Sequence, residues 1–146
     1  IKWPNDILVG KQKIAGILIQ NILKGKEITH SVIGVGVNVN QTKFKAYFPQ
    51  ATSLNLLLNK TFDINTMQKQ LLKCLTERIK QLRSGVDQEK EYFSALFLNN
   101  KVATFESKGQ KFMGIIKGVS QNGKLQIQLE DDSVAEFDNQ EVKFLF

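Results

Sequence analysis

Two apolar runs, 14–19 and 31–39, flank the turn signal Lys24-Gly25-Lys26, and this arrangement constrains the fold more than any other feature of the chain. Runs rich in Ile and Val with a glycine-centred break predict a long antiparallel hairpin, so residues 1 to about 40 read as β. Folded symmetrically about Gly25, the hairpin sets Gly16 opposite Gly34 and Ile14 opposite Gly36. Alternation puts these residues on one face with Leu18 and Asn38. A glycine patch on a sheet leaves room for something flat to lie against the backbone. Glycines in strands equally mark bulges or barrel bends, and the spacing alone leaves both readings open.

After an irregular stretch at 41–53, which contains Pro49, helical patterns begin. Ser53 is placed to cap a short helical piece over 54–58. A longer helix is predicted from about Asn65 to Arg83, because Met67, Leu71, Leu75, Ile79 and Leu82 keep the 3.6-residue period. Asn65 with Gln68 resembles a capping box, and Ser84-Gly85 stops the helix. Another starts at Asp87, carries Tyr92, Phe93, Leu96 and Phe97 on one face, and ends at Asn99-Asn100. These helices are expected to cover the sheet. From Lys101 the texture changes to five short runs, KVATFES, QKFMGIIKGVS, GKLQIQLE, SVAEFD and EVKFLF. The turns Lys108-Gly109, Asn122-Gly123 and Asp131-Asp132 separate them. Five strands in so short a span predict a small closed barrel of SH3-like size. The chain therefore reads as α+β: a mixed or antiparallel sheet with covering helices over 1–99, then an SH3-like β-barrel over 100–146.

With 146 residues, 42% hydrophobic and 23% charged, the composition is that of a globular protein. No stretch approaches the roughly 20 apolar residues of a membrane span. The polar, charged start does not read as a signal peptide. Cys74 is the one cysteine, which excludes an intrachain disulfide or a cysteine metal cluster and suits a reducing cytoplasm. It lies in the helical pattern as a small packing residue. His30, also alone, reads as a turn-edge residue. The net charge of +6 comes from 20 basic and 14 acidic residues, and only Arg78 and Arg83 among the basic ones are arginines. Base readout and bidentate phosphate clamps favour Arg. With no stripe of interleaved aromatic and basic residues, nucleic-acid binding is disfavoured. The diffuse positive charge would still attract an acidic partner or a polyphosphate.

Chemistry concentrates at the start, in IKWPNDILVGKQKIAGIL. Pro-Asn-Asp is ordinary turn material in which Asn5 or Asp6 closes an Asx-turn. Lys13 by itself reads as a solvated lysine at a strand start. KWPND, six residues, KIAGIL, and GVGVN after one hairpin resemble the biotin protein ligase family in order and spacing, and the resemblance extends to the terminal barrel.

That resemblance implies a class II synthetase-like fold and a two-step reaction. Biotin and ATP form biotinyl-5′-AMP, and a lysine of a biotin carboxyl carrier domain then takes the biotin. ATP with Mg²⁺ would be co-substrate and activator, biotin the substrate, and no metal tightly bound. Lys13 matches the family lysine that reaches the biotin carboxylate and the bridging phosphate oxygen. Lys2, Asn5 and Asp6 match the nucleotide-side segment, with Asp6 as a Mg²⁺ ligand, and Trp3 packs as an anchor. Gly16, Leu18, Gly34 and Gly36 would line the biotin ring slot, and Asn38 would help hold the adenylate. Strict alternation, however, puts Lys13 on the face opposite Gly16, so it reaches the ligand only if the regular strand starts later or a bulge intervenes.

The family also carries an Arg-Gly-rich loop and an earlier strand upstream of KWPND, and neither stands in these residues. The expectation is that the chain represents the C-terminal half of a ligase, has little activity by itself, and self-associates through exposed sheet edge and apolar surface. No aromatic stands at 51–54 to stack on adenine, and a DNA-binding helix-turn-helix is not among these residues. The alternatives are a lipoate-type acyl ligase or transferase of the same broad fold, and a non-catalytic protein-binding module.

Overall fold

The computed structural model describes residues 1–45 and 50–145. Pro49, assigned to the irregular stretch, and Phe146, the end of the last β run, lie outside the described residues. The chain divides into two compact units, one of residues 5–87, the other joining residues 1–4 to 88–145. Contacts thus part the chain near residue 88, where the composition suggested 99, and set the first four residues with the C-terminal module.

The unit of residues 5–87 is built on an antiparallel sheet of β1 (Asp6–Val9), β2 (Gln12–Lys24) and β3 (Glu27–Val37), in the order β1-β2-β3. The hairpin was legible, its register was not. Lys24 faces Glu27 across a two-residue turn, with Gly25 at φ 64°. The pairing then slips between Ile22 and Leu23, where Thr29 is the extra residue. Turn and bulge each move the register by one. Gly16 therefore faces Gly36 and Leu18 faces Gly34, rather than Gly16 facing Gly34 and Ile14 facing Gly36. Two shifts of one residue restore the original parity, so the expected residues still share a face. Only the base of the hairpin is buried, at Ile14 and Ala15.

Helix α1 (Leu54–Leu58) is capped by Ser53, whose hydroxyl accepts from Leu56 N–H, as expected. Helix α2 (Ile64–Arg83) starts earlier than the Asn65–Gln68 pattern suggested. Asp63 is extended, and its carboxylate accepts from Thr66 N–H at 2.7 Å, so it fills the cap and leaves Asn65 inside the first turn. No residue of α2 is buried.

In the other unit, α3 (Glu89–Ser94) is shorter than the pattern from Asp87 implied. Leu96 and Phe97 fall beyond it, where Leu98 and Asn100 take positive φ and turn the chain. Strands β4 (Val102–Ser107), β5 (Gln110–Val119), β6 (Leu125–Gln128), β7 (Val134–Phe137) and β8 (Lys143–Leu145) reproduce all five expected runs. They form one barrel-like antiparallel sheet in the order β7-β6-β5-β4-β8. The sheet holds a core of Phe105, Ile116, Leu125 and Ile127, all fully buried, joined by Trp3, Leu96 and Val142. Glycine is required at Gly114, where a Cβ would stand 2.5 Å from Ile127 Cγ2 and 2.9 Å from the Gln128 carbonyl oxygen. Trp3 is anchored at its polar end, with Nε1–H donating to the Gly123 carbonyl at 2.9 Å.

Candidate active site

The site in the unit of residues 5–87 is assembled by a bulge. Asp6 faces Gly16 and Ile7 faces Ala15, but Leu8 faces Lys13, so Ile14 is an extra residue in β2. A bulge re-aims the side chains on either side of it. Here it resolves the parity conflict over Lys13. The Lys13 side chain lies over Gly16, where a Cβ would meet Lys13 Cε and Nζ at 3.4 Å. Its ammonium forms an ion pair with the Asp6 carboxylate. Lys13 is about half exposed and Asp6 mostly covered, a setting in which such a pair adds little stability but orients the ammonium. Asn5 contributes through its backbone, its carbonyl accepting from Ile17 N–H at 2.9 Å.

Beyond this pair, Leu18, Gly34 and Gly36 continue the same face of the hairpin. A Cβ on Gly36 would meet nothing within 4 Å, and one on Gly34 would meet only the Leu18 carbonyl oxygen at 3.8 Å. Neither glycine has positive φ, and neither lies at a bulge. The local fold does not demand glycine there.

Asn38 begins where β3 leaves β2. Its N–H donates to the Ile14 carbonyl at 2.8 Å, and its Nδ2 donates to the Thr52 carbonyl at 3.0 Å. The Gln50–Thr52 segment takes the vacated place beside β2, forming a parallel bridge at Lys13. Nothing in the sequence marked this segment, since a single bridge leaves no periodic pattern. The one signal was Ser53, read as a cap. Thr52 and Ser53 are the buried polar residues among those described.

The structure thus brings Asp6, Lys13 and Gly16 together, with Leu18, Gly34 and Gly36 along the same face and Asn38 at its base. Lys2 belongs to the other unit, where its ammonium stands 5.2 Å from the Phe144 ring centroid. No group of three or more His, Cys, Asp or Glu side chains is gathered for a metal among the described residues.

Residues 1–38 match the model of the biotin/lipoate A/B protein ligase family. More narrowly, the chain is similar to biotin protein ligases and is related to enzymes of that type. It is 34% identical over 129 residues to the biotin–[acetyl-CoA-carboxylase] ligase of Mycobacterium tuberculosis, covering 86% of this chain and 46% of that protein. It is 35% identical over 83 residues to the bifunctional ligase/repressor BirA of Bacillus subtilis, covering 53% of this chain and 25% of that protein. The chain spans less than half the length of these relatives. Among solved structures, biotin protein ligase from Aquifex aeolicus in complex with biotin and ATP shares the fold, with a TM-score of 0.75 at 22% identity, over 99% of this chain and 61% of that one. No helix among the described residues is long and apolar enough to cross a membrane.

Proposed function

We propose that this chain supplies the biotin- and nucleotide-binding face of a biotin protein ligase, acting in the cytoplasm on a biotin carboxyl carrier domain. The observation that carries this reading is the Lys13 ammonium, held over Gly16 by Asp6 at the end of a glycine-floored hairpin face. The relatives named as biotin ligases support the biotin assignment.

In the first step a biotin carboxylate oxygen attacks the α-phosphorus of ATP, the bond to the β-phosphate oxygen breaks, and pyrophosphate leaves. Two anions must meet, and Lys13 is the cation of this face that offsets their repulsion and the charge growing in the transition state. In the second step the carrier lysine amine attacks the carbonyl carbon of biotinyl-5′-AMP. AMP leaves as the amide forms, and the amine gives up a proton. Gly16, Gly34 and Gly36, with Leu18, form the floor on which the biotin rings lie, Cβ atoms there being replaced by ligand. Asn5 and Asp6 face the nucleotide side, and Asn38 lies at the adenylate end. Lys2 is assigned to the nucleotide side by its place in the motif alone. Asp6 brings one carboxylate to this face, paired with Lys13. Mg²⁺ would travel on the triphosphate with Asp6 as one ligand.

The test is Lys13→Ala in the protein that carries these residues. ATP–pyrophosphate exchange dependent on biotin should fall by about a hundredfold or more, with the circular-dichroism spectrum unchanged. A full exchange rate in that variant overturns the reading. Replacing biotin by lipoate in the acceptor-labelling assay separates the lipoate-type alternative.

A further inference from the structure

We propose that Asn38 is a positioning residue that acts on Lys13 through the segment Gln50–Ser53, a role that rests on the assignment of Lys13 to the reaction. The last rung between β2 and β3 pairs Ala15 with Val37, so residues 13 and 14 lie beyond the reach of β3. On their other side, the bulge at Ile14 interrupts the ladder to β1. Lys13 thus keeps one rung, to Leu8 of β1, and has no partner in β3.

Its backbone is held instead by Gln50 and Thr52. Lys13 N–H donates to the Gln50 carbonyl at 2.6 Å, and Thr52 N–H donates to the Lys13 carbonyl at 2.8 Å. Among the described residues no strand flanks the far side of this short segment, and Asn38 fixes it. The Asn38 Nδ2 group donates to the Thr52 carbonyl at 3.0 Å and stands 3.5 Å from the Lys13 carbonyl oxygen. Its backbone N–H and C=O bond Ile14 C=O and Leu54 N–H. A second tie comes from Ser53, whose hydroxyl donates to the Gln41 carbonyl at 2.5 Å. One amide side chain thus joins the end of β3, the bridging segment and the residue whose side chain carries the ammonium. The donor of Asn38 is directed at protein carbonyls, which is the geometry of a brace.

A brace and a nucleotide ligand respond differently to substitution. Asn38→Ala removes the donor, and the near-isosteric Asn38→Asp removes it while keeping size. Both are made in the protein that carries these residues. Without ligand, amide hydrogen exchange at Lys13 and Thr52 should quicken about tenfold, while exchange at Ile19, mid-hairpin, stays unchanged. In ATP–pyrophosphate exchange the turnover number should fall about tenfold, with KM for ATP within about twofold. A raised KM for ATP at unchanged turnover, with quiet Lys13 and Thr52 amides, overturns the proposal and makes Asn38 a nucleotide contact. Faster exchange along the whole hairpin also overturns it, because Asn38 would then be a general fold residue. If Lys13→Ala retains full activity, the catalytic assignment fails and takes the proposal with it. If Lys13→Ala is inactive but the Asn38 variants leave the Lys13 amide protected, the positioning role alone fails.

Discussion

The two units spend the same apolar residue types in opposite ways. In the unit of residues 1–4 and 88–145, Phe105, Ile116, Leu125 and Ile127 are sealed inside the barrel-like sheet. In the hairpin, Leu18, Ile19, Ile22, Leu23, Ile28 and Val32 are each more than half exposed, and only Ile14 and Ala15 at its base are buried. The hairpin gathers Lys13, Asp6 and the glycine face while burying little of its own. On the proposed function, packing and chemistry fall in different parts of this chain, and substitutions should sort accordingly.

The sharpest break in that contrast would come from the glycine face. Gly36→Val should leave the hairpin as stable as before or slightly more so, since a β-branched residue suits a strand and the added atoms meet nothing. Biotin affinity, read by calorimetry on the protein that carries these residues, should fall about a hundredfold or more, because two methyl groups would stand where the rings lie. Undiminished affinity would make the glycines mere backbone. The next effect tests the barrel. Ile116→Ala should lower stability by about 2–5 kcal/mol through the cavity it leaves, whereas Leu23→Ala, on the exposed hairpin, should change it by less than about 0.5 kcal/mol. Similar losses from urea melts of the two variants would erase the distinction between the units.

The smallest effect is one of pH. The hydrogen bonds from Thr66 hold the Asp63 carboxyl below its ordinary value. A group whose folded-state pKa is depressed stabilises the fold above its unfolded pKa, and that contribution is lost as pH falls through the folded value. Helicity of α2 should therefore decline modestly on acidification below about pH 4. Asp63→Asn, which still caps but does not titrate, should remove that acid-dependent component.

What the sequence disclosed follows from how locally each feature is encoded. The barrel strands were legible because alternation and the turns at Gly109 and Gly123 lie within a few residues of one another. The hairpin was legible for the same reason, but its register was not. Bulges at Ile14 and Thr29 each add one residue without a compositional mark, and only three-dimensional pairing shows them. The start of α2 was misplaced because Asn65 offered a plausible cap two residues inside the one supplied by Asp63. Of the site, Asp6 and Lys13 were matched through the family resemblance, and the glycine face was placed by the hairpin pattern. The Gln50–Thr52 bridge was missed because a single pair of backbone bonds selects no residue type.

The bond from Trp3 to Gly123 spans 120 positions of the chain. During synthesis the indole waits for its acceptor until 120 further residues have been made. At about 5–20 residues per second, that wait is on the order of ten seconds. Asn5 and Asp6, which follow Trp3 directly, can form the hairpin pairing at once, but their upstream neighbours are fastened only when the barrel closes. The segment that leads into β1 is thus made well before it is secured.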